Sequence, residues 1–503
     1  MSGPAGVPIV LTADRTLMAD HRTLFGAMVA ASQTTATPRP ILTGLLAPRA
    51  RCSVAPMGLR RVEAALLGDG FAGSDVCIVP VEGLSDVIGR ATRIIGVSAG
   101  EVCGLGMNST TMTAISGGEI YVQRLVRELT AHIAVLRRRA PGARVVFGGP
   151  GAWQLVDDDG LRRELGVDHV VTGPVEGNIA ELFRALADGA QLPTVIAGRE
   201  ARVEAIPPIQ GATTMGVVEL SRGCGLGCRY CVMGRVPMRH LPASTILADV
   251  ETNLAAGLRS MAVISEDVLR FGSVGPRLNP RALLGLLRSV RELPKVGLIQ
   301  TDHANIASVG QYSDEELAEL RALMVGASGC RFPWLNLGVE TPDGELLARS
   351  GPGKLGGVDP ARWGEFCAEQ LRRLIAAGFM PMASLMLCLP GETPEHVQQA
   401  LEWVASVAPL PLTVFPVVYA PIDGSAPPGR ERLTPLHWRL IRACYEINFR
   451  EVPRMFGDNQ AAAGVPLTRR IALQALGRLQ VAHWRRLFAA RARCWGGESR
   501  GPT

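Results

Sequence analysis

The chain is expected to be an α/β protein with a doubly wound, Rossmann-like domain over residues 1–200. A partial (β/α)6 barrel follows over 201–425, and a helical, basic region closes the chain over 426–503. Three observations predict this. Short apolar runs alternate with helical patterns before residue 200, which implies a parallel sheet with right-handed crossovers. The alternation resumes between residues 211 and 422, with polar residues after each apolar run. Beyond residue 459 the sequence turns arginine-rich and helical, without acidic side chains up to residue 497.

In the first domain, residues 7–12, 76–80, 93–97, 143–147 and 168–171 read as strands, and 59–67, 119–139 and 178–188 as helices. Ligands of such sheets bind where loops leave the carboxyl ends of the strands. The loops of interest are Ser98-Ala-Gly-Glu-Val-Cys-Gly-Leu-Gly106, Gly148-Gly-Pro-Gly-Ala-Trp153 and Thr172-Gly-Pro-Val-Glu-Gly177. Their glycines permit close backbone approach to a ligand. None matches G-x-G-x-x-G with a following acidic residue, so a dinucleotide site is a poor fit. A structural domain without a ligand is the bland alternative.

In the barrel, residues 215–220 read as the first strand and 261–265 as the second, ending at Glu266-Asp267. Residues 296–300 read as the third, ending at Thr301-Asp302-His303, and 334–339 as the fourth, ending at Glu340-Thr341-Pro342. The fifth, 382–389, ends at Pro390-Gly391-Glu392-Thr393, and 412–419 is the sixth. One polar strand end is an ordinary loop or helix cap. A series of them, in order, is what a barrel with its active site on that face displays.

The most specific motif is Cys224-Gly-Leu-Gly-Cys228-Arg-Tyr-Cys231, just after the first barrel strand. Glycines 223, 225 and 227 let the loop fold tightly enough for three thiolates to converge. Thiolates at such spacing suit a soft metal site, and an iron–sulfur cubane is normally held by cysteine sulfurs. Three local thiolates for four irons leave one iron open to bind a substrate. A zinc knuckle would need a fourth ligand, with His240 the nearest candidate, yet zinc sites more often show paired C-x2-C spacings.

With Tyr230 preceding its third cysteine, this motif resembles the cluster loop of radical S-adenosylmethionine (SAM) enzymes. The resemblance implies a [4Fe–4S] cluster on Cys224, Cys228 and Cys231 and SAM chelated at the open iron. SAM contacts are implied at Tyr230, Glu266, Asp267, Glu340 and Thr341. Ser265-Glu266-Asp267 stands where the family carries Gly-Gly-Glu, without the glycines, and Gly338-Val339-Glu340-Thr341 resembles the fourth-strand element. Arg239 falls where relatives carry a basic residue, and His303 is a candidate proton donor or substrate contact; a surface arginine and a loop histidine are the bland readings. The first-domain loops resemble those of cobalamin-binding domains that precede radical SAM domains. That implies cobalamin at Ser98, Gly148, Gly149, Pro150, Gly173 and Glu176. Gly173-Pro174-Val175-Glu176 keeps only the outer residues of the Gly-Glu-Gly-Glu-like element, and no Asp-x-His-x-x-Gly segment supplies a histidine to cobalt.

The remaining composition sets limits. Hydrophobic residues make up 47% of the 503 and charged residues 19%, which indicates a globular chain. Eleven cysteines, eight of them scattered singly, suit a reducing, cytoplasmic compartment. No basic n-region opens the sequence, and no apolar run approaches the ~20 residues of a membrane span. The net charge of +6 depends on arginines 469, 470, 478, 485, 486, 491 and 493; without them the chain would carry −1. Between residues 473 and 488 the apolar residues cover one arc of a helix, with Gln474, Arg478, Arg485 and Arg486 opposite. That helix reads as packed with a solvated basic face, or as a peripheral contact for acidic lipid headgroups or a phosphorylated substrate. No nucleic-acid module is visible.

Cobalamin together with SAM suggests methylation of an unactivated carbon or phosphorus in a small molecule or lipid, with a flavodoxin or ferredoxin as external reductant. A second reading keeps the radical without methyl transfer: ring closure, ring contraction or carbon–carbon coupling. A third, of another class, is a non-catalytic electron-transfer or scaffold protein, for which polar strand ends would be superfluous.

Overall fold

The computed structural model describes residues 4–19, 21–46, 54–421 and 429–495. The first three residues, noted above for lacking a basic n-region, lie outside the described residues. By compactness the chain forms two units: Met1–Ser109, Gly117–Glu219 and Leu241–Met261 in one, Thr110–Ser116, Leu220–His240 and Ala262–Thr503 in the other.

The first unit is built on a six-stranded parallel sheet of order β2-β1-β3-β4-β5-β6. Its strands are β1 (Ile9–Ala13), β2 (Val76–Ile78), β3 (Ile94–Ser98), β4 (Arg144–Gly148), β5 (His169–Thr172) and β6 (Val195–Ala197). Both faces are apolar. Val10, Ile95, Val97, Val145 and Phe147 pack with one helix layer; Leu11, Ile94, Val146 and Val171 pack with the other. The five strands expected here all form, within two or three residues at each end. The edge strand β6 and the helices Leu24–Ala31, Arg39–Leu45 and Met107–Ser116 were not anticipated. Leu24–Ala31 is apolar or small throughout, so it offers no polar face for periodicity to reveal.

Segment Leu241–Met261 clusters with this unit through buried charge. Arg61, in helix Met57–Gly68, is 3% exposed and meets the fully buried Asp249 through two hydrogen bonds of 3.2 and 2.6 Å. Asp249 also accepts from Ile209 N, and Asn253 accepts from Thr213 N. The last strand, β7 (Val217–Glu219), is shorter than the expected 215–220. Met215 and Gly216 take φ of +60° and +63°, and a Cβ on Gly216 would sit 2.4 Å from Ser260 O, so the chain turns before it can extend.

The second unit opens with a small antiparallel pair, β8 (Ser221–Arg222) and β9 (Arg239–His240), which closes the cysteine loop. β10 (Met261–Ile264) neighbours β11 (Ile299–Thr301). β12 (His303–Asn305), β13 (Asn336–Glu340), β14 (Met382–Leu387) and β15 (Thr413–Val418) form a four-stranded parallel sheet in sequence order. The expected third strand therefore starts late and divides between two sheets. Lys295 has φ +67°, and the carbonyls of Val296 and Gly297 accept from the Arg291 guanidinium at 3.0 and 2.6 Å, so they are withdrawn from pairing.

Two long helices, Pro435–Ala462 and Leu467–Trp495, end the described chain. They meet through Tyr445, Phe449, Trp484 and Phe488, with Tyr445 and Phe488 ring centroids 5.0 Å apart. This corrects the expected arc: Gln474 does not face solvent with the arginines but donates to Pro453 O at 3.1 Å. Leu479 is 65% exposed beside Arg478, because the last helix buries only one narrow seam. The side chains of Arg491 and Arg493 lie outside the described residues. Among the described residues, no helix is long and apolar enough to cross a membrane.

Candidate functional site

The cysteine loop folds on its own backbone. Glycines 223, 225 and 227 all have φ between +70° and +76°, a region L-residues avoid. At Gly223 a Cβ would lie 2.4 Å from Pro237 O, so no other residue fits there. Cys224 N donates to Val236 O at 2.9 Å and Gly227 N to Gly234 O at 2.9 Å, while Cys231 N reaches back to Cys228 O. The three cysteines form no disulfide. Burial pushes the Cys224 thiol up to about 11 and raises Cys228 as well, so neighbouring positive charge is needed to hold thiolates here. Such buried thiols, without a disulfide partner, suit a metal cluster that supplies that charge.

The protein brings one cation of its own, which sequence reasoning missed. Lys354 is mostly buried and paired with Glu340. Burial alone would lower its pKa, but the Glu340 carboxylate outweighs that, with further help from Cys228 and Cys224, and Lys354 stays charged. The pair exists because of two backbone features. Glu340 follows a β-bulge and has φ +66°, which re-aims its side chain, and Gly338 leaves room: a Cβ there would meet Lys354 Nζ at 2.1 Å. The segment Ser350-Gly-Pro-Gly-Lys354 lies directly against the loop. Arg229 N donates to Ser350 O at 2.8 Å, and a Cβ on Gly351 would stand 3.0 Å from Cys228 Sγ. The available signal was that glycine-rich stretch, which falls at no strand end. Arg270 adds a second positive group, donating to Cys224 O at 2.6 Å with its Nη1 4.0 Å from the sulfur.

The other expected residues divide into two sets. Tyr230 is 6% exposed with its hydroxyl beside Cys228. Glu266 opens to solvent at the rim near Asp302, His303 and Lys354; the protein around it raises its pKa, while His303 draws it down. His303 is half exposed, 3.3 Å from Asp302. Asp267, by contrast, faces inward: fully buried, it accepts from Ser308 Oγ at 2.6 Å, and burial pushes it up to about 6. Thr341 serves the backbone, accepting from Asp343 N and, through its carbonyl, from Trp363 Nε1. Arg239 lies on β9 in register with Arg222. His240 contacts Ser273 O through Nε2 at 3.2 Å and packs on Phe271.

In the first unit, Ser98 and Gly148 are register partners at the ends of β3 and β4, and Gly149 follows with φ +89°. A Cβ at Gly149 would stand 2.6 Å from Ser98 Oγ, so this glycine lets two loops pack. Gly173 instead leaves bare backbone with open space where a Cβ would stand, a Cβ on Gly148 would meet only Val171 O at 3.9 Å, and Pro150 is exposed. The first loop is held by Glu101, a carboxylate missed earlier. It is 8% exposed and accepts from Val102 N, Gly104 N, Gly106 N and Ser109 Oγ. A shelf of exposed backbone on a rigid loop fits a large ligand at the carboxyl edge.

The chain is similar in sequence and in fold to known proteins. Residues 218–404 match the radical SAM superfamily. The ribosomal protein uS12 methylthiotransferase RimO of Syntrophobacter fumaroxidans is 28% identical over 210 residues, 41% of this chain and 43% of that protein. An uncharacterized methyltransferase of Synechocystis, sll1242, is 25% identical over 294 residues, 56% of this chain and 50% of its own. The chain thus spans half or less of these curated relatives. Among solved structures, the radical SAM methyltransferase TsrM of Kitasatospora setae, with cobalamin and a [4Fe–4S] cluster bound, aligns with a TM-score of 0.55. It does so at 15% identity, over 96% of this chain and 100% of that one. TsrM with tryptophan substrate and a SAM analogue aligns at 0.53 and 18% identity, covering 82% and 75%. At these identities the likeness is one of fold. Residues 218–404, which carry the three-cysteine loop, thus form a radical SAM domain.

Proposed function

We propose that this protein is a cobalamin-dependent radical SAM enzyme that methylates an unactivated carbon or phosphorus of a small molecule or lipid. The observation that carries the reading is the three-thiol loop with the buried Lys354–Glu340 pair against it, at the strand-end face of the second unit. When bound, a [4Fe–4S] cluster with SAM supplies a 5′-deoxyadenosyl radical. The chain's residues orient and shield: Cys224, Cys228 and Cys231 hold the cluster, Tyr230 covers Cys228, and Glu266 meets the amino group of SAM. Lys354 and Arg270 keep positive potential beside the sulfurs. A TsrM-like fold across nearly the whole chain supports methyl transfer over cyclisation. The test is anaerobic incubation of the reconstituted protein with SAM, reductant, cobalamin and candidate substrates. A product heavier by one methylene, with deoxyadenosine, supports the proposal; deoxyadenosine with an isomeric or dehydrogenated product favours the cyclisation reading.

Glu266→Gln is expected to weaken SAM binding by about ten- to a hundredfold, the loss of one charge-assisted contact of roughly 1.5–3 kcal/mol. The cluster spectrum should not change, and deoxyadenosine formation should recover at saturating SAM. Unchanged affinity with collapsed turnover would instead place Glu266 on the substrate.

Cobalamin is expected to lie over Ser98, Gly148, Gly149, Pro150, Gly173 and Glu176 with no histidine below cobalt. His21 and His169 each contact a backbone carbonyl at 2.9 Å, and His132 lies within helix Tyr121–Leu136. Electron paramagnetic resonance of the cob(II)alamin form would therefore show no hyperfine splitting from protein nitrogen, as checked by labelling the protein with the heavy nitrogen isotope. Failure to bind cobalamin at micromolar concentration would remove the methyl-transfer proposal.

A further inference from the structure

The carboxyl end of β14 carries a second cysteine constellation, remote in sequence from the cluster loop. Cys388 follows the strand with φ +63°, a costly conformation for a residue with a side chain. It aims Cys388 N–H at Glu392 Oε1, 3.0 Å away, and sets Sγ 3.8 Å from His437 Nε2. His437, in the first turn of Pro435–Ala462, brings Nε2 within 2.6 Å of the same Glu392 oxygen. One donor atom from each of the three lies within 4.8 Å of the others. The site is enclosed: Cys388 is 3% exposed and His437 6%.

Two chemistries use cysteine, histidine and a carboxylate together. In a nucleophile relay the thiol and the orienting group address opposite ring nitrogens, so that the imidazole passes a proton between them. Here both address Nε2, and Nδ1 is taken by Thr434 Oγ1 at 2.8 Å and Thr434 N at 3.1 Å. Convergence of sulfur, nitrogen and oxygen on one point is the arrangement of a metal ion, with the histidine steadied through its other nitrogen. The 3.8 Å sulfur–nitrogen separation is close to the ~3.5 Å between two corners of a tetrahedral zinc site. The 2.6 Å oxygen–nitrogen contact is a hydrogen bond that loading would open by roughly 0.8 Å, to the ~3.4 Å between two tetrahedral corners.

We propose that Cys388, Glu392 and His437 form a second metal site for a divalent cation of the zinc type, completed by water. A thiolate and an imidazole exclude magnesium and calcium, which take oxygen ligands. One thiolate and one carboxylate balance the charge of the ion. Nδ1 accepts from Thr434 N–H and Nε2 donates to Glu392, so loading releases the thiol proton and moves the imidazole proton from Nε2 to Nδ1, where Thr434 Oγ1 turns to accept it and the Thr434 N–H contact opens. Arg432 is engaged with Cys388 O at 2.6 Å rather than with the donor atoms. The ion would tie helix Pro435–Ala462 to the end of β14. This inference stands apart from the proposed methyl transfer.

The test uses the full chain with its iron–sulfur cluster reconstituted anaerobically, stripped with a chelator of zinc and titrated with zinc chloride. Metal content is read by mass spectrometry and the ligand set by zinc K-edge absorption. One zinc per chain beyond the iron, bound at micromolar or lower concentration with one sulfur in its shell, is expected. Cys388→Ser and Glu392→Gln should each weaken zinc by at least tenfold with iron content unchanged. The triple variant Cys224→Ala/Cys228→Ala/Cys231→Ala, which removes the competing thiols, should still bind zinc. Absence of zinc from the wild-type chain overturns the proposal. So does full retention in both single variants, or loss of zinc in the triple variant.

Discussion

The Cys224→Ala/Cys228→Ala/Cys231→Ala variant is expected to hold no [4Fe–4S] cluster and to form no detectable 5′-deoxyadenosine. The loop around these residues is shaped by three left-handed glycines and by hydrogen bonds among its own backbone groups, so removing the sulfurs leaves its frame intact. Nothing else among the described residues offers clustered thiols here: Cys367 is fully buried against Lys354 and Glu340, with its thiol pKa raised by burial. Iron and sulfide analysis with Mössbauer spectroscopy on reconstituted protein measures the first outcome, and chromatography of SAM cleavage products the second. Full iron and sulfide content in the triple variant would remove the assignment.

Lys354→Met is expected to lower the stability of the second unit by about 3–5 kcal/mol, because it leaves the Glu340 carboxylate buried without its partner. Glu340 cannot readily turn away, since its left-handed backbone and the bulge before it fix its direction. The double variant Lys354→Met/Glu340→Gln should recover much of the loss, and the cycle of single and double variants isolates the pair. Denaturant midpoints of the anaerobic, cluster-loaded protein measure it. The same substitution removes a positive charge beside Cys224 and Cys228, so the cluster's reduction potential should fall, as read by a redox titration followed by paramagnetic resonance. A single variant as stable as wild type would show that the Lys354–Glu340 contact contributes nothing to the fold.

Strand existence was legible where apolar runs are short and bounded, because a strand buried on both faces needs nothing more than such a run. All five strands expected in the first unit form. Strand ends were less legible. Residues 296–297 read as strand, yet their carbonyls are claimed by Arg291, five or six residues earlier in the chain, and the chain turns at Met215 and Gly216, where a Cβ on the glycine would meet Ser260 O. At the cysteine loop, all three thiols lie within eight residues, and the glycines at 223, 225 and 227 permit the left-handed backbone observed there.

By itself, then, the sequence determined the alternating architecture and the radical SAM domain, both of which rest on short-range pattern. Only the tertiary structure decided which polar residues serve the site. It turned Asp267 inward onto Ser308 and left Glu266 at the rim, although the two are adjacent. It brought Lys354 from a glycine-rich stretch to Glu340 and to cysteines more than 120 residues earlier, and His437 to Cys388 across 49 residues. The physical reason is the same each time. A buried charge or thiol is tolerable only beside a particular partner, and partnership is set by strand ends meeting in space, which no local period records.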